Sequence, residues 1–233
     1  AFDVLTDMYR DPKFAPGDIE KERGVILEEI SMYRDQPQHF VQEMLAEGLW
    51  TGHPVGRPII GYAETLAKMD RSMILGFKEK MYVPAQTVVT FAGKVDHEAC
   101  VAEVERRLGQ RRGGRRATAP AVNPRGGQAP LVWREKKIEQ THVALGVRVF
   151  GRRDPRRFAL RVMNGVLGEN MSSRLFQEVR EKHGLAYSIH SAVHLHGDTG
   201  VLEVAAGLDR KRYPRAVELV AREFRKLRTT AVT

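Results

Sequence analysis

Cysteine is almost missing from this chain: Cys100 is the only one among 233 residues. That excludes a disulfide framework, and it excludes a metal site built from cysteines. A lone thiol points to a reducing compartment, so a cytoplasmic setting is the expectation. No apolar run approaches the roughly 18 residues of a membrane span. The opening residues, AFDVLTDMYRD, have neither the basic head nor the small-residue cleavage site of a secretory signal. They also lack a leading Met and read as mid-helix, with Phe2, Leu5, Met8 and Tyr9 on one face. A piece of a longer polypeptide is therefore expected. Zinc-finger and RNP patterns are absent. Aromatics are 7% of the chain, and none interleaves with the arginines of RRLGQRRGGRR. Stacking platforms for single-stranded nucleic acid need such aromatics.

Positive charge is what the chain has in excess, at a net +9. Such a balance raises nucleic acid or an acidic substrate as partners. Its placement decides the matter. Arg106, Arg107, Arg111, Arg112, Arg115 and Arg116 form one cluster, and Arg152, Arg153, Arg156 and Arg157 a second. Glycines interrupt the first, so it reads as a solvated linker, and no nucleic-acid partner is expected.

Glu22 and Glu29 are the most informative residues. They lie seven apart in IEKERGVILEEISMYRD, almost two helical turns, so their carboxylates point the same way. At about 100° per residue, Ile26, Ile30 and Tyr33 fall within about 40° of Ile19. Val25 and Met32 fall on the other side, and both glutamates lie between these groups. Glu20, Lys21 and Glu28 point elsewhere and read as solvated. A buried, unpaired carboxylate is costly, so a cation, a base or a metal should compensate. The alternative is that both sit at the rim of the buried face and reach water, or pair with Arg23 or Arg34.

The chain divides near its middle. Helices are expected from Pro16 to Tyr33 and Gln38 to Leu49, then at Thr65–Met69 and Arg71–Met81. TGHPVGRPIIGY must be a loop. VVTFAG, residues 88–93, reads as a buried strand, and Asp96 is placed to cap a helix from His97 to Leu108. Gly, Pro, Ala and Arg dominate residues 110–130, which is linker composition. Beyond it, LVWRE and THVALGVRVF alternate like strands. A helix should run from Pro155 to Leu167, and Ser172 or Ser173 should cap another that stops at Gly184. AYSIHSAVHLH and TGVLEVAAGL form an expected hairpin, followed by a helix from Arg212 to Leu227. The fold class is α+β, with mainly antiparallel sheet and helices on one face.

Several segments carry a resemblance. EKERGVILEEISMYRDQP, GHPVGRPIIGYAETL and FKEKMYVPAQTVVTFAGKVDHE resemble the pitrilysin/insulinase family of zinc metallopeptidases, which includes mitochondrial processing peptidase and its bacterial relatives. GENMSSRLFQEVREKHGLAYSIHS is similar to that family's second homologous domain. The resemblance implies two homologous two-layer α/β sandwiches, both truncated: residues 1–109 from the first, a linker at 110–130, and residues 131–233 from the second. It implies a metalloendopeptidase using Zn²⁺ and hydrolysing peptides or unstructured polypeptide. Glu29 matches the family's distant zinc ligand and Glu22 a glutamate that supports the metal site. Arg180 and Tyr187 match an Arg and a Tyr that hold the substrate backbone.

One departure stands out. The family's His-x-x-Glu-His motif supplies two zinc ligands and the general base, and none of the eight histidines here forms it. His190 and His194 are four apart, but in a strand a four-residue step spans about 13 Å, too far to chelate one ion. Alternation places His190, His194 and His196 on one strand face. The expectation is an internal fragment, inactive alone and holding zinc poorly, from a parent peptidase. Because both partial site sets are present, the parent should be complete and should act as a homodimer. The competing expectation is a non-catalytic member that binds or scaffolds.

Overall fold

The computed structural model describes residues 1–109, 113–123, 126, 129 and 131–229. They fall into two compact units. One comprises Ala1–Glu29 with Gly61–Ala119, the other Ile30–Ile60 with Pro120–Thr233.

The first unit is helical. Helix α1 spans Phe2–Arg10, and α2 spans Pro16–Arg34, its final turn belonging to the second unit. Then come α4 (Ala63–Ala67), α5 (Arg71–Met81) and α6 (His97–Leu108). Helix α3 (Pro37–Leu49) belongs to the second unit. Pro16 opens α2 where its missing N–H costs nothing. Asp96 caps α6 through Ala99 N, as the sequence indicates, and Asp70 caps α5 through Met73 N.

Little apolar surface is buried in this unit. Val83 is its only buried hydrophobic residue among those described. Polar side chains reaching backbone carbonyls hold the helices together instead. Lys78 Nζ donates to Arg10 O at 2.7 Å, and Arg71 Nε donates to Phe14 O at 3.1 Å. Arg23 donates to Met69 O at 2.7 Å and also to Leu66 O. Residues 88–93 are not a strand: Val88 is 87% exposed and no described segment pairs with them. A strand exists only through its partner's hydrogen bonds, and among the described residues this segment has no strand partner.

The second unit is an α+β sandwich. Strands β1 (Gln140–Phe150), β2 (Ala186–Leu195) and β3 (Thr199–Asp209) form one antiparallel sheet in the order β1-β3-β2. The expected β2–β3 hairpin is present. Residues 131–135, expected as a strand, pair with no described segment, and Leu131 and Trp133 are exposed. On one sheet face, Ile189, Leu202, Val204 and Leu208 pack against α7 (Arg157–Leu167), a π-helix (Phe176–Lys182) and α8 (Tyr213–Thr229). Leu167, Val179 and Leu219 from these helices are fully buried. Helices on one face are thus found where the alternation places them.

A further helix, α3 (Pro37–Leu49), lies on the other face. Its Leu45 and Leu49 side chains fill the space over Gly146, where an added Cβ would come within 2.9 Å of Leu45 Cδ2. Trp50 packs on Val201, and its Nε1 donates to Thr199 Oγ1 at 3.4 Å. Arg148 Nε donates to Leu49 O at 2.6 Å, taking up a carbonyl at the helix end. Roughly a hundred residues separate α3 from the sheet it covers, so no local pattern announces the contact.

Candidate functional site

Two places hold the residues singled out by the sequence. The first is α2. Glu22 and Glu29 are both exposed, and neither takes part in an ion pair among the described residues. The premise of burial is therefore not met. Ile30 is buried and Ile26 half-buried, but Val25, Met32 and Tyr33 are largely in water. Arg23 is engaged by Glu20 at 3.0 Å rather than by Glu22. Glu22 stands on the wall of a 330 Å³ groove together with Asp18, Ile19, Ile26, Leu66 and Ile74. The groove is mostly apolar, with carboxylates on one side.

A zinc site needs about four ligands, three of them from protein in a catalytic centre. Among the described residues no three His, Cys, Asp or Glu side chains converge to hold a metal. The residues present do not by themselves fit the ion.

The second place is the connection from the π-helix to β2. Gly184 has φ +57°, a left-handed conformation that costs L-residues energy but not glycine. Its amide donates to Arg180 O at 3.0 Å, and that of Leu185 donates to Val179 O at 3.0 Å. The helix is closed by these bonds and the chain reverses into β2. Arg180 lies in the last turn before Gly184, and Tyr187 follows three residues after it.

Both residues sit on irregular backbone. Arg180 belongs to the π-helix, whose i→i+5 bonding inserts an extra residue per turn. Tyr187 is the residue skipped by the β2–β3 register between Ala186 and Ser188, a β-bulge that re-aims its side chain. Tyr187 is 61% exposed, and Arg180 is exposed with its guanidinium 4.8 Å above the Phe176 ring. Behind this surface, Ser191 Oγ donates to Asn164 Oδ1 at 2.7 Å, and Asn164 Nδ2 donates to Glu169 Oε2 at 3.2 Å. The buried pair Ser191 and Asn164 pins β2 to α7.

Neither Ser172 nor Ser173 caps the helix that follows them through its side chain. Asn170 Oδ1 takes the Ser172 amide at 2.9 Å, and the Ser173 carbonyl accepts from Gln177 N at 3.0 Å. Ser173 Oγ is buried without a hydrogen-bond partner among the described residues. The π-helix, the bulge and Phe176 were not read from the sequence; only Gly184 between Arg180 and Tyr187 hinted at the turn.

The remaining histidines and arginines take ordinary roles. His194 Nε2 lies 3.2 Å from Oε1 of the buried Glu203, and that hydrogen bond raises the imidazole pKa. Burial lowers the pKa of His196, with nearby His194 and Arg152 adding to the effect. His190 is exposed. Arg106 and Arg107 bind Glu103 and hold its carboxyl down to about 2. Arg156 pairs with Asp154 at 2.8 Å. Arg111 and Arg112 lie outside the described residues. None of the described helices is long and apolar enough to cross a membrane.

Comparison with known proteins fits this arrangement. The family model for the peptidase M16 inactive domain matches residues 68–233, and that for insulinase, peptidase family M16, matches residues 1–63. An uncharacterized zinc protease of Mycobacterium tuberculosis is 41% identical over 95% of this chain and 51% of its own length. One from Bacillus subtilis is 33% identical over 100% of this chain and 56% of its own. The chain thus spans about half the length of these curated relatives. A peptidase M16 inactive domain from Pseudomonas fluorescens superposes with a TM-score of 0.88 at 20% identity, covering 99% of this chain and 56% of that one. A Helicobacter pylori protease gives 0.80 at 20% identity over 95% of this chain and 55% of its own. The overall fold is shared with these solved structures, and with both halves matched by models of one family this chain belongs to the M16 (insulinase) peptidase family.

Proposed function

We propose that these 233 residues are the substrate-aligning portion of a zinc metalloendopeptidase acting on peptides or unstructured polypeptide. The observation that carries this is the pair Arg180 and Tyr187, each exposed and each aimed by a backbone irregularity, on either side of one left-handed glycine. A guanidinium and a phenol held this way can grip peptide carbonyls. Fixing a scissile bond in place is worth orders of magnitude in rate.

In this reading residues 1–109 end the first peptidase domain, 110–130 link, and 131–233 begin the second. Glu29 is a zinc ligand and Glu22 orients the site. The other ligands and the general base come from polypeptide outside these residues. That polypeptide would also cover the apolar surface around α2. The active form would be a homodimer.

The test uses the whole protein. Glu29→Gln should remove zinc and peptide cleavage together, because an amide is a weaker ligand than a carboxylate. Arg180→Ala and Tyr187→Phe should leave zinc in place and slow cleavage. Normal cleavage by both of these variants would refute the substrate role. Zinc loss in either would mean that it supports the fold.

A second reading has one observation in its favour: the model matched by residues 68–233 describes an inactive domain. A member of that kind would bind polypeptide or scaffold an assembly without cleaving. Whole protein that binds an unstructured peptide, never cleaves it and retains no zinc would select this alternative.

A further inference from the structure

We propose that Phe176 is a positioning residue for Arg180, holding the guanidinium in place while leaving its donors free for substrate. The inference rests on the reading of Arg180 as a substrate-aligning group. The guanidinium centre lies 4.8 Å above the ring of Phe176, one helical turn earlier. Its other neighbour is Glu181, at 3.9 Å with both side chains about half exposed. So loose a surface pair holds little.

The way each arginine is held separates this stack from others in the molecule. Arg156 lies over Phe150, but its Nη2 is taken by Asp154 at 2.8 Å. Arg157 lies over Phe158, and its Nη1 donates to Arg152 O at 2.8 Å. Arg180 donates no hydrogen bond among the described residues. A ring beneath a guanidinium attracts its face and leaves the five N–H groups around its edge. A carboxylate would occupy those same groups. Phe176 is therefore the kind of support that a carbonyl-binding arginine requires. Val179, fully buried in the same turn, anchors the backbone on the core side. Without the ring, Arg180 would swing towards Glu181 and lose the donors facing substrate.

The experiment has two arms. In the isotope-labelled 233-residue chain, the Arg180 side-chain Nε–Hε resonance should show the ring-current shift of a stacked guanidinium. Phe176→Leu should abolish that shift, and Phe176→Tyr should keep it. In the whole peptidase, Phe176→Leu should lower kcat/KM for an unstructured peptide about two- to five-fold, the range of one exposed cation–π contact. Phe176→Tyr should restore it, and Phe176→Leu should add nothing to Arg180→Ala. Phe176→Met serves if the leucine variant does not fold. An unshifted resonance overturns the proposal, as does unchanged cleavage by Phe176→Leu when Arg180→Ala slows it. If Arg180→Ala itself leaves cleavage normal, the substrate reading falls, and the positioning role falls with it.

Discussion

The two compact units are built on different physics. The second has a layered core: sheet, π-helix and two helices bury Leu167, Leu175, Val179 and Leu219 completely. Among the described residues the first buries one hydrophobic side chain, Val83, and relies on Lys78, Arg71 and Arg23 reaching backbone carbonyls. A hydrogen bond from a charged side chain contributes about 1.5–3 kcal/mol net, comparable to burying one large aliphatic side chain, but only a few such ties stand in for a whole core. The difference teaches that the second unit carries a core of its own, whereas the first presents apolar surface that asks for cover. Val4, Leu5, Met8, Met73 and Phe77 are all about half exposed or more.

That contrast can be broken most directly in the core. Leu219→Ala should destabilise the second unit by about 2–5 kcal/mol, whereas Val83→Ala should cost the first about 1 kcal/mol. Denaturant melts followed by Trp50 fluorescence and by hydrogen exchange of α5 report the units separately. Equal losses in both would erase the distinction. Gly184→Ala comes next: forcing an L-residue into the left-handed region should cost about 1–2 kcal/mol, read as a lower Tm of the second unit alone.

A smaller effect probes the first unit. Asp96→Ala removes the cap of α6 and should cost about 1 kcal/mol, with faster exchange at the Ala99 amide. The smallest effect depends on pH. His194 has a raised pKa in the folded state, so its bond to Glu203 stabilises fully below the unfolded value, about 6.5, and fades as pH rises through the folded value. The imidazole is more than half exposed, so the pH-dependent part is on the order of a few tenths of a kcal/mol. His194→Ala should therefore lower stability more at pH 5.5 than at pH 8.5. The opposite trend would show that another group controls the titration.

Local signals were legible where the interaction is local. The cap at Asp96, the hairpin, and the amphipathic α8 follow from spacing and residue type. VVTFAG and LVWRE show the limit, since their patterns match those of β1 and β3. What separates them is a partner, and pairing is decided by distant parts of a chain. The direction shared by Glu22 and Glu29 followed from their spacing, but their exposure depends on what packs against α2. At the second place the family resemblance singled out Arg180 and Tyr187, but the π-turn and bulge beneath them carried no sequence signal. Each adds a single residue to a regular repeat, which no periodicity reveals.

The bare backbone of Gly146 has a practical consequence. It admits Leu45 and Leu49, so a helix from the early part of the chain is sewn to a sheet from the late part. A protease cutting near residue 115 would sever the covalent thread without separating the pieces. The two fragments should migrate as one species on gel filtration and part only in denaturant. Expressed apart, the later fragment would carry a greasy sheet face and tend to precipitate. The sensible places to shorten this polypeptide are thus set by where α3 rests, not by where the glycine- and arginine-rich stretch runs.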